Sequence, residues 1–181
     1  MGAVGFVLMA IEISVPLMPA FIKLDFSELP ALITAFAFGP LWGVAVCLIK
    51  NLLHLIVTST AGVGELANFL MGIFFVFPAG IIYHCNKTRK GALIGSLAGS
   101  ASMAVMSVLI NYFLIYPLYS VLLMPKEAIL SLYQVILPSV DNLFTALTIF
   151  NLPFTFIKGI IVSLICFLIY KKLSPILKHK R

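Results

Sequence analysis

Apolar residues run through this chain in long stretches broken by short polar ones, and the positions of the breaks predict its elements. The first stretch extends from about Ala3 to Pro19, carries one acid, Glu12, and is punctuated by Pro16 and Pro19. It approaches the roughly 20 residues that a helix needs to cross a bilayer. A charged patch follows, with Lys23, Asp25, Ser27 and Glu28, and it ends at Pro30. The patch reads as a loop, and Ser27 ahead of Glu28 and Pro30 predicts a helix start with proline in the first turn. The run Ala31 to Phe38 covers only about 12 Å at 1.5 Å per residue, too little to span alone, before Gly39-Pro40 ends it.

A full-length helix is predicted from about Leu41 to Thr58, carrying Lys50, Asn51 and His54. Thr58 to Gly62 reads as an exposed loop. Glu65 then opens a span that reaches Cys85 through Asn68, Gly72 and Pro78, and Asn86 to Lys90 forms a basic loop. The next span begins with Gly91, Gly95 and Gly99 at four-residue spacing, beside Ala92, Ser96 and Ser100. Small residues so spaced let helix backbones approach closely in lipid. This span continues to about Tyr116, with Asn111 in its second half and Pro117 ending or kinking it. Between residues 118 and 142, Lys126, Glu127, Gln134 and Asp141 mix with apolar side chains. Lys126 to Leu137 reads as an amphipathic helix lying on the membrane surface. The last span starts at about Leu143 or Leu152 and runs to Tyr170, with Asn151, Pro153, Thr155 and Lys158 near its start. The sum is six hydrophobic helices, one short, in an all-α polytopic membrane bundle without the internal repeat of many secondary transporters.

Composition removes the soluble alternatives. Of 181 residues, 62% are hydrophobic and 10% charged, with a mean hydropathy of +1.15, whereas a soluble domain carries about 25% charged residues. No polar segment is long enough for a separate soluble domain, so residues 1–181 are read as one integral membrane domain. The start lacks the basic region and small-residue cleavage site of a secretory signal. It enters an apolar helix almost at once, which leads us to expect a missing cytosolic lead.

Charge changes the picture by giving a direction. Lys87, Arg89 and Lys90 form one basic cluster, and Lys171, Lys172, Lys178, Lys180 and Arg181 form another, with no acid in either. The loops between them on the opposite side hold Lys23 and Lys126 against Asp25, Glu28, Glu65, Glu127 and Asp141. Cytoplasmic loops are rich in Lys and Arg, so both termini are expected in the cytoplasm of a prokaryotic plasma membrane, and the Lys23–Pro30 loop outside. The net charge of +6 thus reflects membrane topology and not nucleic-acid binding. Cys47, Cys85 and Cys166 are scattered in apolar helices and form no disulfide or metal pattern. They are read as small buried hydrophobes.

Polar groups inside the apolar spans are the candidate chemistry, because each is costly in lipid. Lys50 and His54 share a helix face, with Asn51 beside them. Asn151, Thr155 and Lys158, spaced i, i+4 and i+7, share another. Asn68, Asn111 and Glu12 add polar groups on three further helices. The bland readings are a structural ion pair from Glu12 to Lys50 or Lys158, an interhelical hydrogen bond for Asn68, and a packed histidine at His54. No metalloprotease motif, nucleophile elbow, phosphate-binding loop or acidic metal cluster is present. An enzyme is therefore not expected, and neither a metal nor a cofactor is.

The block Lys23-Leu24-Asp25-Phe26-Ser27-Glu28-Leu29-Pro30-Ala31-Leu32, followed by Gly39-Pro40, Gly43, Ile49-Lys50-Asn51 and His54, resembles the riboflavin-specific S components of energy-coupling factor (ECF) transporters. Pro153-Phe154 and Ile157-Lys158-Gly159 resemble their last helix. The likeness covers nearly the whole chain in hydropathy and about 50 residues in motif. It implies a six-helix bundle with an outward-facing pocket under the first extracellular loop. It also implies partners: riboflavin, a transmembrane coupling subunit and two cytosolic ATPases that supply the energy this chain cannot. Carried over by position, Glu28, Leu29, Asn111 and Lys158 face riboflavin. Thr155 stands where the family often has Asn, and Asn151, one turn earlier, is the candidate to compensate. Asp25, Lys50, Asn51 and Asn68 are secondary polar candidates. The family's small-residue docking pattern is absent from the first helix, where Ala10 and Ser14 come nearest. The competing readings are an S component for another vitamin such as thiamine or biotin, a small membrane enzyme using Lys50 and His54, and a structural membrane subunit.

Overall fold

The computed structural model describes residues 1–178 apart from residues 17, 20 and 21, with side chains placed up to residue 169. The basic tail, from Lys171 to Arg181, therefore lies outside the described side chains.

Helix α1 is short, Gly2–Ala10. The expected first span to Pro19 does not form. β-Branched Ile11, Ile13 and Val15 and the prolines at 16 and 19 disfavour helix. Strand β1, Ile13–Ser14, instead pairs antiparallel with β2, Lys23–Leu24, with Ile13 opposite Leu24 and Ser14 opposite Lys23. Glu12 pairs with Lys23 across this ribbon, not with Lys50 or Lys158 as expected. The helix ends before Glu12, so that acid never reaches the depth of either lysine.

Helix α2, Glu28–Phe38, begins where Ser27 predicts, and every residue from Glu28 to Phe36 is buried. A helix apolar on all sides must be surrounded, and α2 packs against α1, α3, α4 and α9. Gly39, at φ +119°, makes the turn. An L side chain is strained there, and Pro40 then opens α3, Pro40–His54, with its φ already set for a helix. One tight turn, Leu55–Val57, follows. Helix α4 is Val63–Cys85. Helix α5 is Arg89–Ile110, where Thr88 Oγ1 accepts from the Gly91 N–H at 3.0 Å.

Two helices continue through prolines, which resolves the two choices that the sequence leaves open at Pro117 and Pro153. A π-helical turn, Asn111–Ile115, joins α5 to α6, Tyr116–Leu122. A second, Leu147–Asn151, joins α8, Leu143–Ala146, to α9, Leu152–Lys178. Each stops two residues before a proline, Pro117 or Pro153. Proline clashes with the carbonyl four residues back and donates no bond. A wide turn already displaces that carbonyl and so lets the helix pass. Pro117 therefore does not end its span, and the last span is continuous from Leu143.

Between them lies α7, Lys126–Gln134. It was expected on the membrane surface, yet Ile129 and Tyr133 are fully buried in a cluster with Tyr116, Val140 and Leu147. Its apolar face turns toward protein. Four helical stretches among the described residues are long and apolar enough to cross a membrane: Pro40–Val57, Val63–Cys85, Arg89–Leu122 and Leu143–Ile169. With α1 and α2 both short, the expected six helices with one short become four long and two short. The all-α membrane-bundle class holds.

The glycine ladder seats α5 on α4. A Cβ at Gly95 would lie 2.7 Å from the Ala79 carbonyl oxygen, and one at Gly99 would lie 2.4 Å from that of Phe75. Gly159 brings α9 equally close to Ser100. Gly99→Val is expected to destabilise the bundle by about 1–3 kcal/mol through overpacking. It should be read as a lower melting temperature in detergent, against an unchanged value for Val105→Ile on the exposed face. Equal melting of the two variants would contradict this packing. Of the cysteines, Cys47 and Cys166 are buried as expected, whereas Cys85 is exposed.

Candidate functional site

One end of the bundle contains a cavity of about 180 Å³. It lies away from the Asn86–Lys90 loop: its lining uses the first half of α4, the second half of α5 and the start of α9. Asn68 and Met71 come from α4, and Met103 and Ser107 from α5. The first π turn supplies Asn111 and the second supplies Asn151. Such turns often mark functional sites because they rotate one side chain out of helical register. Phe154, Thr155 and Lys158 complete the α9 wall, and Tyr116 and Tyr119 the α6 wall. Lys23, Asp25 and Glu28 close the cavity from the segment leading into α2.

A buried four-charge network forms that closure. Lys158 Nζ lies 2.8 Å from Asp25 Oδ2 and 3.2 Å from Glu28 Oε2. Lys50 Nζ lies 3.2 Å from Glu28 Oε1 and also donates to Ser27 Oγ. Ser27 in turn donates through its hydroxyl and its N–H to Asp25 Oδ1. Two cations and two carboxylates balance, which buried charges require. The pairs join three segments distant in sequence: the loop before α2, α3 and α9. Burial alone pushes the Asp25 carboxyl up, but Lys158 and Lys50 outweigh it and hold the carboxyl well below the usual carboxylate range. With the folded value below the unfolded one of about 3.9, the stabilisation is complete above that pH. It is lost only as pH falls through the folded value, so changes near neutrality leave the closure intact.

Behind the cavity wall, Asn51 donates to the Cys47 carbonyl at 2.8 Å and to Asn68 Oδ1 at 3.3 Å. Asn68 thereby spends its carbonyl on Asn51 and keeps its N–H donors for the cavity. His54 pairs with Glu65 Oε1 at 2.8 Å, and Thr58 and Thr60 donate to Glu65 Oε2. This ties the α3–α4 loop together. Lys50 and His54, considered together as enzyme chemistry, are thus held apart, Lys50 by Glu28 and His54 by a hydrogen bond to Glu65.

Of the residues singled out from sequence, Asp25, Glu28, Asn68, Asn111, Asn151, Thr155 and Lys158 line this one cavity. Lys50 and Asn51 stand one layer behind it, and the Leu29 side chain packs in the main buried cluster. Sequence reasoning passed over Met71, Met103, Ser107, Tyr116, Tyr119 and Phe154. For α5 a signal existed, because Met103, Ser107 and Asn111 recur every four residues on one face. For Tyr116 and Tyr119 none did, because the π turn shifts their register. No group of three or more His, Cys, Asp or Glu residues suited to a metal occurs among the described residues.

A bundle of apolar helices that closes a polar cavity at one end with a charged loop is the architecture of a membrane protein built to hold a solute. The comparisons with known proteins make this specific. The chain belongs to the family of ECF transporter substrate-specific components, whose model matches residues 1–170. It is 35% identical over 184 residues to the riboflavin transporter FmnP of Bacillus subtilis (strain 168), covering 100% of this chain and 92% of that one. It is 33% identical over 179 residues to the riboflavin transporter RibU of Staphylococcus aureus (strain TCH60), covering 99% and 89%. Among solved structures it matches the S component of a bacterial ECF transporter with a TM-score of 0.76 and 32% identity, covering 99% of this chain and 93% of that one.

Proposed function

We propose that this protein is a high-affinity riboflavin-binding S component, which captures the vitamin outside the cell. A transmembrane coupling subunit and two cytosolic ATPases then drive its delivery inward. The observation that carries the reading is the convergence of Asn68, Asn111, Asn151, Thr155 and Lys158 on one cavity, in a chain whose relatives are named riboflavin transporters. An isoalloxazine ring needs an apolar slot together with hydrogen-bonding groups for its carbonyl and N–H edge, and the ribityl chain needs several more. Met71, Met103 and Phe154 supply the slot, and the amides, Thr155 and Lys158 supply the polar groups. The charge bias of the loops supports cytoplasmic termini and an outward-facing cavity.

The cavity is smaller than the several hundred Å³ usual for small-molecule sites. Entry of a flavin therefore requires the Lys23–Glu28 segment to swing outward, which parts Asp25 from Lys158. The purified protein is expected to quench riboflavin fluorescence on titration and to emerge yellow from riboflavin-fed cells. Unchanged fluorescence and a colourless preparation would remove this reading, and saturable binding of thiamine or biotin instead would assign the cavity to another vitamin.

A further inference from the structure

A second cavity, an open groove of about 390 Å³, shares the first π turn with the one already described. Asn111 of that turn lines the first cavity, and Tyr112 and Phe113 line the groove. Leu130 of α7 and Leu143 of α8 extend its apolar wall. Tyr112 and Phe113 lie towards the end of Arg89–Leu122, and Leu143 begins Leu143–Ile169, two stretches long and apolar enough to cross the membrane. Phe113 is 71% exposed, so this wall meets hydrocarbon. Lys126 and Glu127 line the same groove from the first turn of α7, which lies between those two stretches and outside both. Consecutive helix positions diverge by about 100°, and the two heads do not meet. Among the described residues neither side chain forms an ion pair or a hydrogen bond. One cation and one anion thus stand at the rim of an apolar groove, beyond the ends of the spans that wall it.

We propose that this groove binds one phospholipid with an ethanolamine headgroup. An acyl chain lies along Tyr112, Phe113, Leu130 and Leu143, the phosphate meets Lys126 and the ammonium meets Glu127. The volume falls within the several hundred Å³ usual for small-molecule sites. Charge selects the headgroup. Lys126 and Glu127 sum to zero, so a zwitterion satisfies both, whereas an anionic lipid sets its excess charge against Glu127. A primary ammonium also donates charge-assisted hydrogen bonds to a carboxylate, and the quaternary ammonium of choline has no N–H to give. The groove is separate from the cavity assigned to riboflavin, and its occupant does not depend on that assignment.

The test is thermal melting of the full chain in detergent micelles doped, at equal mole fraction, with phosphatidylethanolamine, phosphatidylcholine or phosphatidylglycerol. Phosphatidylethanolamine is expected to raise the melting temperature by about 2–4 °C more than either other lipid. Glu127→Gln is expected to abolish its advantage over the choline lipid, and Lys126→Gln to reduce the shift from both. Both residues are exposed, so neither substitution disturbs the packed core. Equal shifts from the three lipids would mean ordinary lipid contact only and overturn the proposal, as would a shift largest with phosphatidylglycerol. An ethanolamine preference that survives Glu127→Gln overturns it too. Glycerophosphoethanolamine, the same headgroup without acyl chains, is expected to give no shift at the same concentration. A shift equal to that of the lipid would assign the groove to a soluble phosphate ester and overturn the lipid assignment.

Discussion

On the proposed riboflavin reading, Lys158→Met is expected to weaken riboflavin binding by at least about a hundredfold, equivalent to about 2.8 kcal/mol. Two effects add. Lys158 lines the cavity, so its ammonium donors are lost to the ligand. It is also the cation that holds Asp25 and Glu28 together at 2.8 and 3.2 Å. Without it, the closing segment carries two neighbouring buried carboxylates against Lys50 alone. Truncating one partner of such a buried pair costs about 2–5 kcal/mol, chiefly through the charges left behind. The closing loop is then biased outward, so the loss is expected mainly in a faster off-rate, measurable by stopped-flow chase with unlabelled ligand. Lys158→Arg, which keeps the charge, is expected to recover part of the affinity. A Lys158→Met protein binding within threefold of the parent would place the ligand elsewhere.

Lys50→Met is expected to destabilise the folded protein by about 3–5 kcal/mol while leaving every cavity-lining side chain in place. Lys50 is completely buried and pairs with Glu28, itself 1% exposed. Removing the ammonium leaves one cation for two buried carboxylates. Adding Glu28→Gln to Lys50→Met is expected to restore most of the loss, because Asp25 and Lys158 then remain as a balanced pair. The cycle of single and double variants, read as denaturation midpoints in detergent, isolates this coupling. Strictly additive losses would show that Lys50 acts through packing of its stem and not through charge.

The membrane class was legible, and polar groups could be singled out, because hydrocarbon punishes charge locally. A lysine or asparagine inside an apolar run stands out at any position, whatever it later touches. This is why Asn111 and Lys158 could be named before either had a partner, whereas Asp25 and Glu28, in the charged patch, were named through the family resemblance; the small residues at Gly95 and Gly99 likewise announced a close helix contact. Element ends with local causes were equally legible: Ser27 before α2, the Gly39-Pro40 turn, and the break after Cys85, which ends at Thr88 where α5 begins, two residues earlier than expected.

Other features depend on contacts far along the chain, and no local pattern encodes them. The first span looked continuous because hydropathy ignores the β-branched and proline content that ends the helix and lets Ile13–Ser14 pair with Lys23–Leu24. Whether Pro117 ended its span or only kinked it stayed open in the sequence, because a proline's cost depends on the turn before it, and the two π turns remove that cost. The α7 helix looked amphipathic and so peripheral, because the sequence cannot say whether its apolar side meets lipid or the buried cluster of Tyr116, Val140 and Leu147. By itself, then, the sequence determined that this is an all-α membrane bundle with costly polar groups near one end. The tertiary structure alone decided which of those groups share a cavity and which neutralise one another. Partners 133 residues apart, such as Asp25 and Lys158, meet only once the helices have packed.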